Sequence, residues 1–323
     1  MKKIDRKLLF ELDLNSRQSY GQIATKLNTS KQVIGNHIHK LTNEGYIKKF
    51  LVTLDLSKFG FIMSKIYIRL MRASLEDEEE IIAYMNNHKN VAWLVRTEGA
   101  YDFAFVLHTR DIFELDTILQ NFEGKYGKFI LERVVNRSVS GAHFPRSYLI
   151  ENGLTNMEKT VFTDVGTKTL RIDEIDEVIL AGLSKDARTS STKIASKLSI
   201  SADAVGKRIK KLERSGIIKG YTIVPSNSKM NQIVYKLLIN TINFNSKTEA
   251  KLKEFCRQNS NIIFYTKVIG AWDLELDLEV ESSLQFRNIM RIFKKQFADL
   301  IRDYHLLIIY DISKHNPMPM YSF

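Results

Sequence analysis

The chain has 323 residues, room for two or three domains at ~100–200 residues each, and its 44% hydrophobic and 26% charged composition with only 4 Pro and 15 Gly excludes long disordered tracts. Its one cysteine, Cys256, excludes an intrachain disulfide and a cysteine metal cluster, and is expected as a semi-buried helix thiol. A net charge of +11 points to a polyanionic partner, whereas no apolar run approaches the ~18 residues that cross a bilayer and Met1–Leu14 is too charged for a signal peptide, so a cytoplasmic protein without membrane contact is expected.

Residues 4–50 carry three short helix-periodic stretches: Ile4, Leu8, Leu9 and Leu12; Tyr20, Ile23, Ala24 and Leu27; Val33, Ile34, Ile38 and Leu41. Asp5 is placed to cap the first, Ser19 with Gln22 forms a capping box for the second, and Ser30 caps the third, which ends at Gly45. Only Asn28 and Thr29 separate the second helix from the Ser30 cap, the tight spacing of a helix-turn-helix. A strand at Ile47–Leu54 follows as a wing or connector.

The pattern then becomes βαββαβ: a strand at Ile62–Arg72, a helix at Leu75–His88, strands at Val91–Thr97 and Asp102–His108, a helix at Ile112–Gly124 and a strand at Phe129–Val139. This is the ferredoxin-like order, two helices on one face of an antiparallel sheet. Residues 142–172 lack periodicity and are expected to be a linker.

The text then repeats. Between Ile4–Phe50 and Ile175–Tyr221, at a constant offset of 171, 18 of 47 positions are identical without a gap, where average residue usage gives roughly 3. A unit this long is a whole module, so the chain is a tandem duplication. The second copy has its helices around Asp176–Leu183, Ile194–Leu198 and Ser201–Leu212, Gly216 after the last, and a strand at Ile217–Val224. Its βαββαβ elements are expected at Ile233–Ile242, Lys247–Gln258, Ile262–Val268, Asp273–Val280, Leu284–Leu300 and Asp303–Ile312. Five regions result: a helix-turn-helix unit at 1–56, a ferredoxin-like domain at 57–141, the linker, a second helix-turn-helix unit at 173–226 and a second ferredoxin-like domain at 227–323, an α+β architecture overall.

The third strands differ. Apolar and acidic residues alternate through Leu274–Val280, so one face is buried and the other meets water or a basic partner, while Phe103–Leu107 is apolar on both faces. The first sheet is therefore expected to be covered on both sides and the second less.

On the third helix of the first copy a wheel sets Gln32, Asn36, His39 and Asn43 opposite the apolar side, flanked by Lys31 and Lys40; the second copy presents Asp203, Lys207, Lys210 and Arg214, flanked by Lys211. In a major groove Asn36 suits adenine, Lys207 and Lys210 suit guanine acceptors or phosphates, and Lys48, Lys49 and Lys219 suit the phosphate backbone of double-stranded DNA. Ser30 and Ser201 open these helices. Gly35 and Gly206 lie inside them, either for close approach of backbone to DNA or a neighbouring helix, or from common ancestry. The seven histidines are scattered, with His37 on the apolar side of its helix as a packed boundary residue, and no phosphate loop, nucleophile elbow or zinc-protease helix occurs, so no metal, cofactor or catalytic residue is expected. The carboxylate run Glu76–Glu80 suits a helix N-terminus.

These features, with "GIIKGYTIV" at 216–224, "GAYD" at Gly99–Asp102 and "GAWD" at Gly270–Asp273, resemble the Lrp/AsnC family of feast/famine regulators over roughly 4–140 and 173–315. The resemblance implies a winged helix-turn-helix joined to a ferredoxin-like effector and oligomerisation domain, here two subunits in one chain forming an intrachain pseudo-dimer, with further homo-oligomerisation of chains. It also implies an amino-acid or other small-molecule effector near Gly99, Tyr101, Asp102, Gly270, Trp272 and Asp273. Glycine would admit a carboxylate and aspartate an ammonium, though ordinary hairpin chemistry explains the same residues. Siroheme decarboxylases are similar in fold, which keeps an enzymatic alternative, and a metabolite sensor without DNA binding is a third.

Overall fold

A computed structural model describes residues 1–150, 159–163 and 169–318. The first helix-turn-helix unit comprises α1 (Lys3–Leu14), α2 (Tyr20–Leu27) and α3 (Lys31–Asn43), followed by β1 (Ile47–Leu54). Ser19 and Gln22 close a capping box on α2, the Ser30 hydroxyl accepts from Val33 N, and Gly45 takes the left-handed φ of +75° after α3. Asp5 does not cap α1, because Lys2 is the N-cap; the Asp5 carboxylate lies buried in the first turn, 2.6 Å from His37 Nδ1. His37 is thus the boundary residue expected, held by a hydrogen bond to Asp5. A Cβ on Gly35 would lie 3.4 Å from the Tyr20 ring, so this glycine marks close approach of α2.

The first ferredoxin-like module runs β2 (Ile62–Leu70), α4 (Leu75–Asn87), β3 (Val91–Gly99), β4 (Phe103–Thr109), α5 (Ile112–Tyr126) and β5 (Ile130–His143). A short strand β6 (Lys159–Thr163) pairs with β5. The second copy follows with α6 (Glu174–Lys185), α7 (Ser191–Ala195), α8 (Ala202–Arg214) and β7 (Ile218–Pro225), then β8 (Ile233–Thr241), α9 (Ser246–Arg257), β9 (Ile262–Ile269), β10 (Leu274–Val280), α10 (Ser283–Gln296) and β11 (Ile301–His315). Cys256 is buried on α9. Helices α4 and α5 pack on Phe103, Phe105 and Leu107 of β4, and α9 and α10 on Leu274, Leu276, Leu278 and Val280 of β10.

The other faces of the two sheets meet. Strand order β2-β4-β3-β11-β8-β10-β9-β5 closes through a β2–β5 pairing into a barrel of eight strands. The long last strands of the modules make the joints: β5 pairs with β2 through Ile130–Arg137 and with β9 through Arg137–His143, while β11 pairs with β8 and, from Leu307 onward, with β3. The register obeys the sequence offset. Arg137 faces Ile269, and Ile308, its equivalent, faces Glu98.

Closure overturns two expectations. The second sheet is not the less covered one: Glu275 and Glu279 of β10 are buried inside the barrel, facing lysine and arginine instead of water. Nor does a linker begin at residue 142, because β5 continues to His143, and Ala142 and Phe144 enter the core beneath α9 and α10 while Leu149 enters that of the first helix-turn-helix. The later part of 142–172 lies mostly outside the described residues.

Candidate nucleic-acid interface

Both helix-turn-helix units are built from one apolar stripe per helix. Ile34, Ile38 and Leu41 of α3 pack with Leu8, Leu9, Leu12 and Ile23, and Val205, Ile209 and Leu212 of α8 pack with Ile179, Leu180, Leu183 and Ile194. The opposite faces are left to solvent: Ser30, Lys31, Gln32, Asn36, His39, Lys40 and Lys48 in the first copy, Ser201, Lys207, Lys210, Lys211 and Arg214 in the second, are all exposed. Ser201 accepts from Ala204 N as Ser30 does from Val33 N, so the first turn of each helix is fixed. Gln32 Nε2 donates to Asn36 Oδ1 at 3.3 Å, orienting two amides side by side on α3. Lys207 is paired with Asp203 at 2.8 Å across one exposed turn, leaving Lys210, Lys211 and Arg214 as the stronger cationic edge of α8.

Two lysines expected on phosphate point elsewhere. Lys49 Nζ donates to the His315 carbonyl at 2.8 Å, and burial lowers its pKa against the pull of Asp186. Lys219 Nζ lies 3.5 Å from the buried Asp55 carboxylate. Strand β1 alternates its faces, and the second of the adjacent lysines Lys48 and Lys49 turns inward.

The expected wings are a two-stranded antiparallel ribbon. Strand β1 pairs with β7, Leu51 opposite Thr222, so each unit completes the other. Val52 and Leu54 of β1 enter the second unit's core, while Ile223 of β7 enters the first's. Arg17 donates to the carbonyls of Ala187 (2.5 Å) and Thr189 (2.9 Å); Arg188, 171 residues on, donates to those of Ser16 (2.6 Å) and Gln18 (3.2 Å). These arginines were legible as repeated residues, but their reciprocal role was not. The ribbon and the two guanidinium groups join α3 and α8 in one body.

The turns named as an effector site lie at the far end of the barrel from this ribbon. Asp102 accepts from Leu70 N at 2.6 Å, and Asp273 from both Thr241 N and Thr241 Oγ1 at 2.6 Å. Tyr101 and Trp272 are buried in an aromatic cluster with Tyr67, the Tyr67 and Trp272 rings 4.9 Å apart. Tyr101 donates to Glu132 and Trp272 to Glu275. Gly99 and Gly270 have φ of +124° and +154°, and a Cβ would meet Leu306 O at 2.5 Å or Asn136 Oδ1 at 1.9 Å. The close approach that demands glycine here is by the other module's last strand.

Sequence reasoning missed the charged barrel interior. Lys65 and Lys236, at equivalent positions on β2 and β8, both reach Glu275, at 2.5 and 3.4 Å, and Lys236 also pairs with Asp277. Arg146 bridges Asp13 of α1 (2.6 Å) and Glu279 of β10 (2.9 Å), tying the first helix-turn-helix to the barrel. Burial pushes the Asp13 carboxyl up, but Arg146 and His143 outweigh it and hold the pKa below the ordinary value.

Residues 172–213 match the AsnC-type helix-turn-helix domain and residues 1–48 the winged helix-turn-helix DNA-binding domain. An HTH-type transcriptional regulator of Pyrococcus abyssi is 31% identical over 121 residues, covering 37% of this chain and 80% of that protein. One of Pyrococcus furiosus is 31% identical over 136 residues, covering 41% of this chain and 88% of that protein. The chain belongs to the Lrp/AsnC family. The HTH-type transcriptional regulator LrpA of Pyrococcus horikoshii is 65% identical over 52 residues, which are 16% of this chain and 37% of LrpA. Among solved structures, the siroheme decarboxylase NirDL has the same fold across both modules, with a TM-score of 0.64 at 12% identity over 99% of this chain and 95% of that one. This Lrp/AsnC chain thus holds two family modules in tandem, and among its described residues no helix is long and apolar enough to cross a membrane.

Proposed function

We propose that the chain is a sequence-specific DNA-binding transcription regulator of the cytoplasm, acting as a single-chain pseudo-dimer that presents α3 and α8 to successive major grooves. The observation that carries this reading is the pairing of two exposed, N-capped polar helix faces in one body by the β1–β7 ribbon. Relatives named as HTH-type transcriptional regulators support it. The faces are unequal: α3 offers amides and imidazole for base edges, and α8 offers charge. An imperfect palindrome follows, the second half-site supplying more of the salt-dependent affinity. At the two Gly-x-aromatic-Asp turns one oxygen of each carboxylate already accepts a backbone N–H, so an effector there would meet carboxylates fixed in place by the backbone.

The test is a salt titration of operator binding. Each phosphate contact contributes about 0.9 to the log–log slope. Replacing Lys207, Lys210 and Lys211 with alanine should lower the slope by about 2 to 3, whereas Asn36→Ala with His39→Ala should leave the slope and relax base preference. Equal slopes for the two sets would overturn the division.

The enzymatic reading is less favoured. The siroheme decarboxylase NirDL shares the fold at 12% identity, whereas the relatives at 31% identity are named as transcriptional regulators.

A further inference from the structure

The helical outer faces of the two modules carry opposite charge. In the first, α4 and α5 hold eight carboxylates against one lysine; in the second, α9 and α10 hold eight lysines and arginines against two glutamates. The reversal falls on equivalent positions. Glu76 and Glu80 of α4 become Lys247 and Lys251 of α9, each 171 residues on, and Asp116 and Glu123 of α5 become Arg287 and Lys294 of α10. All of these residues are exposed, and the spacings of four and seven put each pair on one side of its helix.

The charge is available to a partner. The two glutamates of α9 are taken by Lys253, Lys267 and Arg257, which leaves Lys247, Lys251, Arg287 and Lys294 without an ion-pair partner among the described residues. On the first module Glu80 pairs with Lys125 and Glu123 with Arg133 at the surface, while Glu76 and Asp116 have no ion-pair partner among the described residues. Each face also bears an apolar side chain at an equivalent place. Phe113 in the first turn of α5 is 78% exposed and Leu284 in the first turn of α10 is 65% exposed, one helical turn from Asp116 and Arg287 respectively.

The two faces cannot meet within one chain, because α4 and α5 cover the outside of one half of the barrel and α9 and α10 the outside of the other. DNA would account for the basic face alone and would be repelled by the acidic one. A second copy of the chain accounts for both, since the same backbone positions carry the two signs.

We propose that chains associate head to tail, the acidic α4–α5 face of one on the basic α9–α10 face of the next, with Phe113 and Leu284 at the contact. Charge complementarity selects this arrangement over acidic-on-acidic or basic-on-basic contact. The contact is heterologous, so it closes into a ring or extends as a filament and does not stop at a twofold dimer. Sedimentation velocity of the full chain without DNA reads the association independently of the proposed regulatory role. Screening shortens from ~10 Å at 0.1 M salt to ~3 Å at 1 M, so species larger than one chain at low salt should return to single chains at about 1 M.

Exchanging charges between the modules gives the sharper test. One variant carries Glu76→Lys, Glu80→Lys, Asp116→Arg and Glu123→Lys; the other carries Lys247→Glu, Lys251→Glu, Arg287→Asp and Lys294→Glu. Alone, each should stay a single chain, its two faces now alike in sign, and an equimolar mixture should restore association. Phe113→Ser should weaken self-association of the native chain about tenfold. Thermal melting checks that the variants fold; should either fail, the two-site versions at Glu76 with Asp116 and Lys247 with Arg287 carry the same test. The proposal falls if the native chain stays single at low salt, if its association is unchanged at high salt, if either exchanged variant still self-associates, or if their mixture does not. Loss of operator affinity in the second variant with self-association unchanged would assign the basic face to DNA instead.

Discussion

Strands β4 and β10 hold equivalent places in the two modules and turn opposite chemistry into the same barrel. Ala104, Val106 and His108 point inward from one, Glu275, Asp277 and Glu279 from the other, at positions 171 apart. The neighbouring lysines did not diverge: Lys65 and Lys236 are equivalent, and both depend on the carboxylates of β10. Two identical subunits would have either no inward carboxylate at these positions or twice as many. Fusion lets one copy carry the anions for both, and the charges balance across the pseudo-twofold axis.

That asymmetry can be broken directly. Glu275→Ala leaves two buried lysines sharing only Asp277, and removing one partner of a buried ion pair costs about 3–5 kcal/mol. The equivalent change Ala104→Gly removes no charge partner and should cost far less, as urea unfolding of the two proteins would show; similar losses would mean that the carboxylate is not the anchor. A pH titration gives the next effect. Burial pushes Glu275 up, but Lys65 and Lys236 outweigh it and hold it down at about 2 against an ordinary 4.5. Because the folded pKa is the lower one, its contribution is complete above about pH 4.5 and is lost as pH falls toward 2, roughly 3 kcal/mol in all. His108 adds a loss with the same sign from pH 6.5 down to about 4, since its buried ring resists protonation. In Glu275→Gln the lower part of the acid-unfolding curve should flatten; an unchanged curve would remove Glu275 from the account.

The smallest effect tests symmetry rather than difference. Arg17 and Arg188 make reciprocal bonds to carbonyls of the opposite unit, so replacing either with methionine should cost about 1–3 kcal/mol and by nearly the same amount. Unequal thermal shifts would show that the two helix-turn-helix units do not lean on each other evenly.

Local signals were read well from the sequence. Ser19, Gln22, Ser30, Ser201 and Gly45 do what their spacing predicts, because a cap satisfies backbone groups within three or four residues of itself. Asp5 misled for a related reason: an acidic residue near a helix start looks like a cap until its His37 partner is seen. The exposed polar helix sides were legible from periodicity, whereas the outward or inward turn of Lys48, Lys49 and Lys219 depended on what lay behind the ribbon.

By itself the sequence determined that the chain is a doubled module, which segments are helix or strand, and which helix faces are polar. Each of these follows from the repeat offset or from the periods of 3.6 and 2 that local backbone geometry imposes. Only the tertiary structure decided that β5 and β11 cross between modules, that β1 and β7 form one ribbon, and that the acidic face of β10 meets buried lysines rather than water. An alternating strand specifies two faces but not what is laid against either. Lys65 and Glu275 stand 210 residues apart, and they meet only because closure of the barrel places the two sheets face to face.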